Sequence, residues 1–321
     1  MCPNGRHEID SAFVRCHEQA IPDLKSEAID FRVASELLAP YRPVRPQIWI
    51  NLRITTEHQG RQVPTIGGLL LFGKDRFNRF PDSWIQAGRF AGTNRQKLLD
   101  STEIRSHLPQ AAEDAIAFTR KHLTREAIIE GVRREDRWSI PLVAIREAIM
   151  NALVHADYAQ TGAPIRVALF DDRIEIENPG LLPFGLTIED ILQGVSKLRN
   201  RVIGRVFHEL HLIEQWGSGI QRMASACQEA GLPTPKFEEI GMHFRVTIRN
   251  ERIREPKADD IDRRMLALLS DGLARSTSVV AKHIGLSQRA TLTRLKAMTS
   301  RGLLVEIGTG PHDPKRQYAL I

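Results

Sequence analysis

Cysteine is scarce in this sequence. Its three residues, Cys2, Cys16 and Cys227, show no CxxC spacing. That excludes a disulfide framework and a zinc-ribbon site, and predicts a reducing, cytoplasmic setting. Long apolar runs are missing too. The longest, around Gly67 to Phe72, falls far short of the roughly 18 residues a membrane helix needs. The opening MCPNGRHEID carries no apolar leader segment, so neither secretion nor a membrane partner is expected. No GxSxG, GxxxxGK[ST] or HExxH stretch occurs, which sets aside the hydrolase elbow, the P-loop and the zincin helix. A strong charge bias is also lacking: 45 Lys and Arg face 39 Asp and Glu, a net +6.

What is present fits a soluble globular chain. Hydrophobic residues make up 42% and charged residues 26% of the 321 positions, a length that predicts two or three domains. The charge is unevenly placed. From Lys257 to Ile321 there are eleven Lys or Arg and six Asp or Glu. That stretch therefore holds +5 of the +6, and the long remainder only +1. A basic terminal domain on a neutral body is the footprint of a nucleic-acid partner, although a solubilised surface gives the same count.

Along the chain, residues 1–47 show little periodicity and read as a poorly defined N-terminal segment. Ile48 to Thr55 alternates apolar and polar residues and predicts a strand. A short helix is expected over Ile66 to Gly73, a strand over Ser83 to Phe90, and one long helix over Thr102 to Leu123. Pro141 is expected to open another helix. Ile165 to Phe170 and Arg173 to Glu177 flank Asp171-Asp172 as a hairpin. Gly180 to Gly194 reads as loop with a short acidic helix. Arg199 to Gln215 and Ser218 to Gly231 read as helices, and Phe237 to Ile248 as strand. The charged stretch 251–259 reads as a linker between a body over 48–250 (core about 140–250) and a small domain over 260–321.

The helix after Pro141 carries the first chemical signal. Glu147, Asn151 and His155 are four apart, so each step turns only about 40° around the axis. Leu142, Ile145, Ile149, Ala152, Leu153 and Ala156 fall on the broadly opposite side, as in an amphipathic helix laid on a sheet. A carboxylate can orient water, an amide oxygen can ligate Mg²⁺, and an imidazole can contact phosphate. On spacing alone a solvated stripe is the simpler account. The order of the downstream segments favours a ligand. A strand runs into Asn178-Pro179-Gly180, and later Gly217-Ser218-Gly219 opens a helix, where backbone N–H groups and the helix dipole suit an anion.

With REAIMNALVHADY (Arg146 to Tyr158), DDRIEIENPG (Asp171 to Gly180), SKLRN (Ser196 to Asn200) and IEQWGSGI (Ile213 to Ile220), the sequence resembles the GHKL ATP-binding fold. Within it, the resemblance is to the RecG-like branch of transcriptional regulators that carry an N-terminal Schlafen/AlbA-type module. It spans about 48–250, and residues 1–47 look like the tail of that module. The resemblance implies a two-layer α/β sandwich (α/β, or α+β) binding ATP with Mg²⁺. It implies Glu147 as general base, Asn151 as Mg²⁺ ligand and His155 as phosphate contact. Asn178 stands where the family reads adenine with Asp, and an amide can both accept from and donate to the base. Gly180 matches that box's first glycine, while Leu182 replaces the second. Gly217, Ser218 and Gly219 match the second glycine box, and Lys197 and Arg199 lie where the family has its nucleotide lid.

The basic C-terminal stretch resembles a winged helix-turn-helix over about 260–321. That resemblance implies double-stranded DNA as partner. The third helix would enter the major groove with Gln288, Arg289, Thr291 and Arg294 near its leading end. Lys282, Lys315 and Arg316 would meet phosphates. A homodimer is also compatible, though no heptad supports one. Winged helices serve as protein–protein modules as well; the local +5 favours DNA. Three functional readings fit these features: a nucleotide-responsive DNA-binding transcriptional regulator, a slow ATPase using Glu147 as base, and a constitutive DNA binder with a vestigial pocket.

Overall fold

The computed structural model describes residues 17–130, 133–214, 217–250, 260–270, 273–300, 303–308 and 316–320, with backbone alone at 125–137 and at residue 300. The chain divides into two compact units, one up to Ile253 and one from Arg254.

In the first unit, Asp30 caps α1 (Phe31–Leu38) by accepting from the Val33 N–H at 3.1 Å, the usual solution for unpaired N–H groups at a helix start. Ile29, Ala34 and Leu38 are buried in the same core as the rest of the unit. The expected boundary at residue 48 is therefore not where the core divides; residues 1–16 of that expected N-terminal segment lie outside the described residues. The predicted strand over Ile48 to Thr55 is instead α2 (Gln47–Asn51) and a turn. Pro46 opens the helix at φ −51°, and Ile48, Trp49 and Leu52 bury one side of it. A two-residue alternation is mimicked by chance over so short a span. Strand β1 (Thr55–His58) then pairs with β2 (Arg61–Pro64), and Thr65 caps α3 (Ile66–Phe72).

Strand β3 (Ile85–Phe90) pairs antiparallel with β4 (Leu98–Ile104). The long helix expected over Thr102 to Leu123 is thus split: its start completes β4, and α4 covers only Leu108–His122, with Pro109 in its first turn. A proline can open a helix but cannot sit inside one, because it lacks the N–H and its ring clashes with the preceding turn. Hairpin β5 (Arg125–Glu130) and β6 (Arg133–Trp138) comes next. Helix α5 spans Leu142–His155. Strands β7 (Ile165–Leu169) and β8 (Arg173–Pro179) form the expected hairpin. Beyond it lie α6 (Ile188–Leu192), α7 (Arg201–Glu209) and α8 (Gly219–Glu229); α7 is shorter than the helix expected over Arg199 to Gln215. The single strand expected over Phe237 to Ile248 is a hairpin, β9 (Lys236–Ile240) and β10 (His243–Arg249), turned at Gly241.

Six strands make one mixed sheet in the order β4-β3-β7-β8-β10-β9, with β3 and β7 parallel. Alternation along the strands gives its two faces opposite chemistry. Ile174, Ile176, Val246 and Ile248 join the core with α4, α5 and α8. Glu175 and Glu177 point the other way, to Arg95 at 3.0 Å, Arg173 at 2.8 Å, Arg166 at 3.3 Å and Arg245 at 2.6 Å. The unit is a two-layer α/β sandwich.

The second unit holds α9 (Asp260–Leu269), β11 (Arg275–Ser276), α10 (Thr277–Ile284), α11 (Gln288–Ser300), β12 (Leu304–Ile307) and β13 (Gln317–Leu320). Its sheet runs β11-β13-β12. Met265, Leu269, Val280, Ile284, Leu295, Met298, Leu304 and Tyr318 form a separate core.

Helix α5 offers a test of this packing. Leu153 is fully buried, whereas Val143 on the same helix is 50% exposed. Leu153→Ala is expected to cost about 2–5 kcal/mol and Val143→Ala within about 0.5 kcal/mol, measured by urea unfolding.

Candidate functional site

A cavity of about 660 Å³ opens between α5, β8, the segment from Gly180 to Lys197, α7 and the start of α8. Its size falls within the roughly 300–1,000 Å³ of small-molecule sites. Glu147, Asn151, His155, Asn178, Gly180, Lys197, Gly217 and Gly219 all line it. Arg199 and Ser218, the other two expected nucleotide residues, do not.

The α5 stripe forms one wall. Glu147 is only 5% exposed and is held by two guanidinium groups, Arg222 at 3.0 Å and Arg146 at 3.5 Å. The start of α8 abuts this carboxylate. A Cβ on Gly219 would sit 2.6 Å from Glu147 Oε2 and 3.7 Å from Asn151 Nδ2. A larger residue there would push the carboxylate aside. His155, two turns on, is neutral at pH 7: burial, then the nearby Arg199 charge, pushes its imidazole down to about 4. It therefore offers a phosphate a hydrogen bond and no charge.

At the end of β8, Asn178 is 4% exposed. Its Nδ2 donates to the Pro179 carbonyl at 3.0 Å, which leaves Oδ1 as the acceptor for a ligand's amino group. One of the two Nδ2 hydrogens is engaged this way, and the other stays available to a base. Gly180 adopts φ +98°, and a Cβ there would meet Asp157 Cβ at 2.9 Å. Leu182, at the missing glycine position, lines the cavity, and its N–H donates to Glu239 at 2.6 Å.

Lys197 Nζ donates to the Phe184 carbonyl at 3.2 Å. Arg199 donates to the Leu181 carbonyl, tying the two ends of the segment that spans Gly180 to Asn200. Ser218 turns away and donates to Glu214 at 3.2 Å. Arg222 is a site residue that no sequence motif singles out. Its signal is weak but readable: three residues after Gly219, it faces the same side of α8.

In the second unit, Lys282, Gln288 and Arg289 are exposed. Three of the expected DNA residues are committed elsewhere. Thr291 is fully buried, and its hydroxyl donates to the Ser287 carbonyl at 3.0 Å. The register of α11 turns it to the core. Arg294 pairs with Asp262 at 2.7 Å, and Arg316 pairs with Glu306 at 2.9 Å with only 11% of its side chain exposed. Both guanidinium groups brace the fold. Lys315 lies outside the described residues. Lys296, seven positions after Arg289, is exposed and shares its helix face.

Residues 162–248 match the family model described as "Putative ATP-dependent DNA helicase recG C-terminal". This segment is ATPase-like. It begins after α5, so Glu147, Asn151 and His155 precede it, and it contains Asn178, Gly180, Lys197 and Gly217 to Gly219. The structure is similar to the crystal structure of the DIP2311 protein from Corynebacterium diphtheriae, with a TM-score of 0.59 and 21% identity. The likeness is one of fold; it covers 94% of this chain and 62% of that one, so this chain spans less than two thirds of that protein. A search of the curated proteins finds no match. Among the described residues no helix is long and apolar enough to cross a membrane.

A second histidine lies near Arg199. His17 is 9% exposed, and burial, opposed by Asp157 and aided by Arg199, pushes it down to about 4. Both imidazoles bind protons more weakly than the unfolded chain's, whose ordinary value is 6.5. The unfolded state then takes up more protons between those values, so stability falls as pH drops from 6.5 toward 4. The slope is about 1.4 kcal/mol per pH unit for each group. Urea unfolding near pH 7 and near pH 5 is expected to show this loss, and His155→Gln is expected to reduce it.

Proposed function

We propose that this chain is a nucleotide-responsive DNA-binding regulator that binds ATP with Mg²⁺ in the first unit. The observation that carries the reading is the cavity that gathers Glu147, Asn151, His155, Asn178 and the Gly217 and Gly219 backbone from three distant segments. The ATPase-like match over 162–248 supports it. Asn178 Oδ1 would accept from the adenine amino group, and the glycine-opened start of α8 would face the phosphates. Among the described residues no three His, Cys, Asp or Glu side chains group as a metal site. Mg²⁺ fits as an ion held by the Asn151 amide oxygen together with nucleotide phosphates and water, its usual mode. Ligand-driven ordering of the Gly180 to Asn200 segment would carry the signal.

Calorimetric titration with ATP and with a non-hydrolysable analogue, both with Mg²⁺, is expected to give saturable heat. Asn178→Ala is expected to weaken it at least about tenfold, the loss of a buried polar contact. Absence of heat and of any thermal shift with either nucleotide overturns the reading. Slow phosphate release abolished by Glu147→Ala would add hydrolysis to binding; release that survives the change removes Glu147 as the base.

The second unit carries the DNA half of the reading. Its order of three helices and a three-stranded sheet supports a winged helix-turn-helix, and Lys282, Gln288, Arg289 and Lys296 supply an exposed basic face. DNA affinity is expected to fall steeply with salt, with a slope of about −0.9 per phosphate contact. Arg289→Glu is expected to weaken binding far more than Arg32→Glu, an exposed side chain on α1 of the neutral body. A salt-insensitive complex, or equal effects of the two changes, contradicts the assignment.

A further inference from the structure

The binding reading assigns no role to Arg222, yet Arg222 bridges two carboxylates at one end of the cavity. Its Nη2 lies 3.0 Å from Glu147, and its Nη1 pairs with Glu214. Its Nε is buried and has no hydrogen-bond partner among the described residues. The guanidinium is therefore a fork with two prongs on carboxylates and one donor unsatisfied, at the wall of the cavity. A buried donor without an acceptor is costly, and a planar fork of this kind matches the oxygens of a phosphate.

The carboxylate it holds occupies an anion's position. Glu147 Oε2 lies 2.6 Å from where a Cβ of Gly219 would stand, at the start of α8. A guanidinium and a helix N-terminus converge there on one negatively charged group, and the group is a side chain of the protein itself. Along α5, Glu147 lies two turns from His155, so about 12 Å of helix separates them. With adenine at Asn178 and the phosphates running past His155 along α5, the terminal phosphate would be the part that reaches Glu147.

We propose that Arg222 reads the terminal phosphate of the bound nucleotide, and that Glu147 holds this guanidinium until the phosphate displaces it. The inference rests on the nucleotide reading above and deepens it. Ion-pair exchange is its physical content: the phosphate takes over the Arg222 fork, and the Glu147 carboxylate is left with Arg146 alone. That carboxylate faces water only after the exchange. A site built this way discriminates triphosphate from diphosphate, because only the former can displace Glu147.

Opposite effects of two substitutions test it. Calorimetry uses the full chain with Mg²⁺ and either ADP or a non-hydrolysable ATP analogue, and circular dichroism checks that each variant is folded. Arg222→Gln is expected to weaken the analogue by about tenfold or more while changing ADP by less than about threefold, as loss of a charge-assisted contact to one phosphate requires. Glu147→Gln removes the competitor and is expected to tighten the analogue by about three- to tenfold. Each variant is decisive by itself, so loss of folding in one leaves the other as the test. Equal weakening of both nucleotides by Arg222→Gln, or no tightening in Glu147→Gln, overturns the inference while the nucleotide reading stands. Wild-type protein that binds neither nucleotide overturns both.

Discussion

The packing of α5 against β8 is the contact on which the cavity depends. Ile145, Ile149 and Leu153 on the helix and Ile174 and Ile176 on the strand share one buried core. Hydrophobic burial sets the rotation of the helix, since each residue step turns the side chains by about 100°. That rotation directs Glu147, Asn151 and His155 to the cavity together. A slip of one residue would turn the stripe about 100° away from the cavity, so the apolar packing holds the polar side chains in place. The same packing explains how a carboxylate with 5% exposure is tolerated in an apolar helix: Arg222 and Arg146 compensate the charge that burial would otherwise penalise.

The far face of the sheet is held by different physics. No hydrophobic layer is needed over Glu175 and Glu177: Arg166 and Arg245 pair with Glu177 across neighbouring strands, and Arg173 of the same strand and Arg95 of the β3–β4 loop pair with Glu175. Burial by itself would raise the Glu177 carboxyl, but the Arg245 hydrogen bond and charge outweigh it and hold it below the ordinary value. Cross-strand ion pairs of this kind fix register as well as charge. Register matters here because β8 must deliver Asn178 and Gly180 to the cavity at its end.

The second unit shows how folding competes with recognition for the same residues. Of the basic side chains expected to meet DNA, Arg294 and Arg316 are engaged in ion pairs within the unit, and Thr291 completes a helix turn. Lys282, Gln288 and Arg289 stay exposed, and Lys296 joins them. The basic character of the segment therefore survives on a narrower surface than its composition implies.

Local chemistry alone determined the α5 stripe, the Asp171-Asp172 hairpin and the helices of the C-terminal unit. Each is written in residues a few positions apart, where periodicity, caps and turn residues act directly. Where two local signals conflict, the sequence misleads: alternation hides the helix at Gln47–Asn51, and helical spacing before Pro109 hides strand β4. Tertiary structure alone decided the rest. That Arg222 meets Glu147, that residues 17–47 enter the main core, and that Asn178 ties one amide hydrogen to the Pro179 carbonyl all depend on partners far along the chain or on side-chain orientation. No spacing rule encodes such contacts, because they arise only when separate elements pack into one volume and each buried charge must find a partner there.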